Sequence, residues 1–290
     1  NPPSSLAPSM AQNNAPSEIS PPLPTKKPEN MLTSTPRFTP TLTLGIGSTR
    51  ISEIDGMEMV YVPAGDFIVK RIGENGKILS EEKFTLENYW IDKYEISNEQ
   101  FFNCVDKGFC DPPKSIYNTF WVTSTPPPGG LSGYYMPIST LIPYFSKFSD
   151  SPNRPVSRIT FENAEKYCEW VERRLPTGIE WDKSIHGENG NIYPWGDDFI
   201  FGASNIEGGY GQPAECGSYE MDKSIYGVYD LAGNVQEWVK AGEQYYYKGG
   251  CYLTGRDELA QVLTKNYYYR LRSDPFSSNT IGFRCAMDVD

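Results

Sequence analysis

The chain has a single histidine, His186, in 290 residues. This excludes mechanisms built on two imidazoles and leaves no evident base to activate a Ser or Cys nucleophile. Positive charge is also scarce, since 26 Lys and Arg against 37 Asp and Glu leave a net charge of −11 and no basic stripe. Phosphate backbones bind through arrays of Lys and Arg, which argues against nucleic acid as a partner. No apolar run approaches the roughly 20 residues that cross a bilayer, so no membrane span is expected. Asn-x-Ser/Thr acceptors are lacking, which argues against N-linked glycans of that type. The carboxylates, though numerous, include no pair spaced or flanked for glycosidase chemistry.

The six cysteines include no CxxC pair and no zinc-like spacing. Such usage fits disulfides, which persist in oxidising compartments, so a secreted or cell-surface location is expected. The first residue is Asn1 rather than Met, as after processing or trimming or in a partial chain. Cys104 and Cys110 enclose the short loop Val105-Asp106-Lys107-Gly108-Phe109, which a disulfide could close at the end of a helix. The sequence alone leaves many pairings of six cysteines open.

What is present is enough apolar sequence, 38%, to bury a core. It is unevenly placed. Residues 1–40 are rich in Pro, Ser, Thr and Asn, and such a tail cannot offset its ordering entropy by self-burial. It reads as a solvated stalk or as a strap ordered by a partner. Residues 41–56 form a connection in which Thr41-Leu42-Thr43-Leu44-Gly45-Ile46 alternates as a half-buried strand does. Leu42, Leu44 and Ile46 are thus candidates for pairing with a sheet edge of this chain or of a second copy. From residue 57 to 290 the texture is aromatic and Gly-punctuated, with an irregular Pro-, Gly- and Tyr-rich insertion over 121–155.

Three helix starts are expected. Ser97-Asn98-Glu99-Gln100 and Thr177-Gly178-Ile179-Glu180 have capping-box form, and Thr160 caps a third helix. In that third helix Ala164, Tyr167, Cys168 and Val171 recur at helical spacing and should face the core. Gly187 should end the helix begun after Thr177, and a partly protonated His186 beside it would favour the helix dipole. In the triplets Tyr245-Tyr246-Tyr247 and Tyr267-Tyr268-Tyr269, alternate rings of a strand face opposite sides. Tyr246 and Tyr268 are therefore candidates for a sugar, peptide or subunit contact, with core packing as the alternative.

A longer pattern runs in order through the domain. It comprises Gly56-Met57-Glu58-Met59-Val60-Tyr61-Val62-Pro63-Ala64-Gly65-Asp66-Phe67, Asp92-Lys93-Tyr94-Glu95-Ile96-Ser97-Asn98, Pro155-Val156, Tyr167-Cys168-Glu169-Trp170, Arg174-Leu175-Pro176-Thr177 and Tyr193-Pro194-Trp195-Gly196. It continues through Tyr226-Gly227-Val228-Tyr229-Asp230-Leu231-Ala232-Gly233-Asn234-Val235-Gln236-Glu237-Trp238, Lys248-Gly249-Gly250 and Gly282-Phe283-Arg284-Cys285-Ala286. With these motifs the chain resembles the formylglycine-generating enzymes and their non-catalytic relatives. The resemblance implies an α+β variant of the C-type lectin fold, low in regular structure, with short helices and twisted antiparallel strands.

The resemblance also implies where activity would sit, and there this chain departs from it. In the oxidases the Gly-Gly pair is followed by Ser, an aromatic, one residue and the first active cysteine, with a second five positions later. Here Thr254 and Leu259 occupy those two positions, and Cys251 stands where Ser is usual. Hydroxyl and isobutyl groups cannot hold copper(I) as thiolates do, so neither copper nor oxidase activity is expected. The family pairs cysteines at Cys168 and Cys285, which leaves Cys216 to pair with Cys251 by elimination. Relatives hold calcium through oxygens at positions matching Asn205, Ile206, Asn234, Val235 and Glu237, the hard ligands that ion prefers. The expected function is a non-enzymatic extracellular building block, such as a filament or surface-layer subunit, joined as a homo-oligomer through its tail. The alternatives are a lectin-like module for a glycan or peptide and, third, an oxidase.

Overall fold

The computed structural model of the chain describes residues 43–113, 152–265 and 277–289, apart from Asn75, Tyr210 and Glu243. The tail 1–40, Leu42, Tyr268 and residues 121–151 of the expected insertion lie outside the described residues.

Five strands open the body that begins at Thr43: β1 (Thr49–Ile51), β2 (Glu58–Val62), β3 (Gly65–Ile72), β4 (Ile78–Leu86) and β5 (Tyr89–Asp92). Helices α1 (Asn98–Asp106), α2 (Phe161–Trp170) and α3 (Gly178–His186) follow. Then come β6 (Gln236–Ala241), β7 (Gln244–Lys248), the short helix α4 (Leu259–Thr264), β8 (Ile281–Gly282) and β9 (Ala286–Asp288). One sheet has the order β1-β2-β5-β9 with antiparallel neighbours, β3 and β4 form a hairpin, and β7-β6-β8 form a sheet in which β6 and β8 run parallel. The sequences account for the burial. Val60-Tyr61-Val62 and Tyr89-Trp90-Ile91 are continuously apolar, and these inner strands are buried throughout those stretches. In β3, Phe67 and Val69 alternate inward, and Phe67 stacks on Phe84 of β4 with centroids 5.5 Å apart.

The helices begin where local side-chain chemistry satisfies their first N–H groups. Both capping boxes form, Ser97 with Gln100 and Thr177 with Glu180, and Thr160 accepts from Asn163 N. Gly187, at φ 64°, closes α3. The inward face of α2 carries Ala164, Tyr167 and Cys168, with Val171 buried just beyond its end. Tyr167 meets Phe101 of α1 and Phe283 beside β8 in ring contacts at 5.9 and 5.4 Å. Disulfides link Cys168 to Cys285 and Cys104 to Cys110. The first ties α2 to the chain entering β9, and the second closes the turn after α1.

Several expectations differ from the structure. The alternating segment around Leu44 and Ile46 is not a strand. A turn closed by Ser48 N donating to Gly45 O intervenes, pairing starts at Thr49, and Leu44 and Ile46 are exposed. His186 is buried, its Nδ1 donating to Asn191 O at 2.6 Å, and burial pushes its pKa below the usual range. It is a neutral core group rather than a charged partner of the helix end, because burial disfavours the imidazolium. Tyr246 is a core residue too, since β7 is covered on both faces. Tyr246 packs in the cluster with Trp181, while Tyr245 stacks on Phe161 at 4.1 Å and Tyr247 meets Trp238 at 5.9 Å.

Candidate functional site

At the centre of the motif-bearing loops is a buried polar network. Arg284 is fully buried between Phe283 and Cys285, so its charge needs partners. Glu237, on β6, accepts from Arg284 Nε at 2.7 Å and Nη2 at 2.6 Å, and from Trp181 Nε1 at 2.9 Å. Arg284 also donates to the carbonyls of Asp92 and Tyr229, at 3.0 and 2.7 Å, which joins β5 to the loop before β6. Glu95 accepts from Asn234 Nδ2 at 2.5 Å and from Val235 N at 3.1 Å. Burial, with Asp230 and Glu237 nearby, raises Glu95 well above the usual carboxylate range. Burial lifts Asp230 to about 7, although Gly217 N donates to it at 2.6 Å. Burial pulls Arg284 down, but Glu237 and the other carboxylates outweigh it and hold the guanidinium charged.

This geometry tests the expected calcium ligands. Both oxygens of Glu237 are taken by Arg284 and Trp181, and Asn234 Oδ1 accepts from Asn205 Nδ2 at 3.1 Å and Ala214 N at 2.8 Å. Val235 contributes its N–H to Glu95, and the Asn205 carbonyl accepts from Asn234 N at 2.8 Å. Ile206 O accepts from Gly209 N at 2.9 Å, and Asn205 Oδ1 is the one side-chain oxygen of the set that is buried without a partner. Calcium takes six to eight oxygens, so as arranged here Asn234 and Glu237 do not fit the ion.

The segment after β7 lies against this network. Gly250 is pressed so closely on Ala232 O that an added Cβ would sit 2.3 Å from it, which explains the side-chain-free position. Thr254 lies three residues beyond Cys251, its Oγ1 accepting from Cys251 N at 2.8 Å and donating to Cys251 Sγ at 3.5 Å. Leu259 opens α4 and is fully buried, its Cδ1 2.9 Å from the Cβ that Gly250 lacks. The two positions that are thiols in the oxidases are thus a hydroxyl tied to its own turn and a core side chain, which do not fit copper. Cys216 and Cys251 are free thiols, not a disulfide. Each is held by a different neighbour, Cys216 Sγ by Glu95 O at 3.6 Å and Cys251 Sγ by Thr254.

A pocket of about 280 Å³ opens at this segment. Cys251, Thr254, Gln236 and Glu258 line it, and Tyr247, Leu253 and Val262 complete the wall. The resemblance places Cys251 and Thr254 here, whereas nothing in the sequence marks Gln236, Glu258 or Val262 as wall residues. Glu95, Asp230 and Arg284 likewise stand out in the sequence only as members of the shared motifs. The available signal was a charged residue inside an otherwise apolar motif, since Phe283-Arg284-Cys285 demands a buried counter-charge.

The geometry agrees with comparison to known proteins. The model of the sulfatase-modifying factor enzyme 1-like domain matches residues 48–289. The formylglycine-generating enzyme of Mus musculus is 26% identical over 284 residues, covering 80% of this chain and 75% of that protein. The inactive C-alpha-formylglycine-generating enzyme 2 of Mus musculus is 34% identical over 154 residues, covering 46% of this chain and 48% of that protein. Among solved structures, PvdO from Pseudomonas aeruginosa superposes with a TM-score of 0.56 at 17% identity, covering 85% of this chain and 100% of that one. That likeness concerns the fold alone, an α+β arrangement of the formylglycine-generating-enzyme type. The relatives include both an enzyme and a protein named inactive. From its fold, its ordered motifs and the match over nearly all its described residues, the chain belongs to the sulfatase-modifying factor enzyme 1-like family.

Proposed function

We propose that this family member is a non-catalytic, extracytoplasmic binding module whose ligand enters the pocket beside Cys251 and Thr254. The observation that carries the reading is the pairing of Thr254 and Leu259 at the two oxidase thiol positions with an open pocket at the same place. A core leucine cannot act as a ligand or redox group, whereas a pocket with both polar and apolar walls suits binding. The extracytoplasmic placement is supported by the two disulfides. Among the described residues, no helix is long and apolar enough to cross a membrane.

The test has two arms. Copper-loaded protein is incubated with a Cys-x-Pro-x-Arg peptide, whose mass is expected to stay unchanged; conversion to formylglycine would overturn the non-catalytic reading. Peptide and glycan arrays are then probed with the intact chain and with Val262→Trp, which fills the pocket. A ligand whose signal falls at least tenfold in the variant supports the reading. No ligand, or one indifferent to the substitution, overturns the pocket as the site.

A second reading is favoured by a separate observation. Leu44, Ile46 and Ile51 are exposed, and among the described residues β1 is the edge strand of its sheet, with all three of its residues exposed. Such an edge suits pairing with a second copy, as expected of a tail-joined assembly. Particle size of the intact chain beside one lacking residues 1–46 decides it, and identical monomers would end that proposal.

A further inference from the structure

The tetrapeptide Gly-Glu-Asn-Gly occurs twice in the chain, at residues 73–76 and 187–190. Each copy sets an asparagine amide beside the N–H of the following glycine, whose lack of a Cβ leaves that nitrogen open to approach. The two surroundings differ at that nitrogen. In the first copy, between β3 and β4, Gly76 N donates to Gly73 O at 2.9 Å. In the second, just after α3, the turn is closed outside the glycine. Asn191 N donates to His186 O at 2.8 Å, and His186 Nδ1 donates to Asn191 O at 2.6 Å. Gly190 N has no hydrogen-bond partner among the described residues, and neither has the exposed side chain of Asn189. The fold also fixes the glycine. Gly190 has φ 68°, and a Cβ there would sit 2.8 Å from Ile68 O on β3, so a residue with a side chain would be strained in its place.

We propose that Asn189 is a site of spontaneous covalent modification, its side-chain amide cyclising onto Gly190 N, while the Gly76 hydrogen bond slows the same reaction at the first copy. The chemistry needs only water and a base from the solvent. Hydroxide or a buffer base takes the Gly190 N–H proton, and the nitrogen forms a bond to Asn189 Cγ. The Cγ–Nδ2 bond then breaks, and the amide nitrogen takes up a proton and leaves as ammonia. Water opens the resulting cyclic imide at either carbonyl, giving aspartate or, where the main-chain carbonyl is attacked, isoaspartate. Water is consumed and ammonia released, with no change in oxidation state. A nitrogen whose N–H is already donated must first give up that bond, which adds to the barrier. The product places a new negative charge next to Glu188 in a chain whose net charge is already −11. Isoaspartate also lengthens the main chain inside a turn pinned at His186 and Asn191 and pressed at Gly190 against β3.

The experiment incubates the intact chain at mildly alkaline pH, with and without urea. Peptide mapping by mass spectrometry follows both asparagines, and electron-transfer fragmentation separates isoaspartate from aspartate. The expected result is conversion at Asn189 at least tenfold faster than at Asn75 in the folded protein, with the two rates converging in urea. Asn189→Gln should abolish the conversion of that peptide, because the longer side chain closes its ring far more slowly; a signal that persists in this variant would assign the modification to another residue and overturn the site. No conversion at Asn189 in the folded chain, whatever happens in urea, would also overturn it, since the turn would then hold the amide away from Gly190. Equal folded-state rates at the two asparagines, or a gap that persists in urea, would overturn the role given to the Gly76 and Gly190 N–H groups.

Discussion

Glu237 meets Arg284 with both carboxylate oxygens, Oε1 accepting from Nη2 at 2.6 Å and Oε2 from Nε at 2.7 Å, and both side chains are buried. This pair joins β6 to the chain between β8 and β9 and holds the loops behind the pocket. Two charges taken out of water are costly, and removing one partner leaves the other uncompensated.

Glu237→Ala should therefore destabilise the protein by about 3–5 kcal/mol, whereas Glu237→Met with Arg284→Met should cost far less than the sum of the single changes. Urea denaturation of the set measures this. A single-variant loss below about 1 kcal/mol would show that the pair does not hold these loops.

Stability should fall as pH rises from about 5 to 8. Asp230 is lifted by burial to about 7 and Glu95 is raised as well. Between their unfolded and folded values the native state binds more protons than the unfolded chain, so the slope of unfolding free energy with pH is negative. Each such group contributes at most about 1.4 kcal/mol per pH unit. The lowered His186 pKa has the opposite sign, and its contribution is lost as pH falls below the ordinary imidazole range. Asp230→Asn keeps an acceptor for Gly217 N and should flatten the slope between about pH 5 and 7, below the folded value of Asp230. Melting curves in matched buffers test it, and an unchanged slope would remove Asp230 as the cause.

The two disulfides should differ in weight. Cys168–Cys285 closes 117 residues and Cys104–Cys110 closes 6. Chain entropy alone predicts losses of about 5 and 2 kcal/mol on removal. Paired Cys→Ala variants, compared in guanidinium, should rank in that order. The reverse order would mean that the short bridge secures packing rather than chain ends.

Chelation should leave the fold as it is. Glu237 and Asn234 spend their side-chain oxygens on Arg284, Trp181, Asn205 and Ala214. Melting with excess EGTA or with millimolar calcium is expected to agree within about a degree, because a ligand that binds only the native state raises stability by mass action. A clear upward shift with calcium would show these side chains rearranging around the ion.

Much of the architecture was legible because its signals are local or ordered. Ser97, Thr160 and Thr177 cap helices through bonds three residues away, and a bond of that reach is written in adjacent sequence. The inward face of α2 follows from helical spacing alone. The motif order led to the family. The segment around Leu44 and Ile46 misled because alternation describes a strand only if a partner edge lies beside it, and a tight turn at Gly45–Ser48 intervenes.

The amino-acid sequence by itself determined the family, the helix starts, the buried face of α2 and the loss of both oxidase thiols at Thr254 and Leu259. Only the tertiary structure decided that Tyr246 and His186 are core groups, that Cys216 and Cys251 stay apart, and that Glu237 faces Arg284. Only it brought Gln236, Cys251 and Glu258 around one pocket. The reason is physical. A cap or an amphipathic face depends on neighbours a few residues away, whereas the charge state of a carboxyl, the partner of a thiol and the shape of a pocket depend on which distant segments exclude water together.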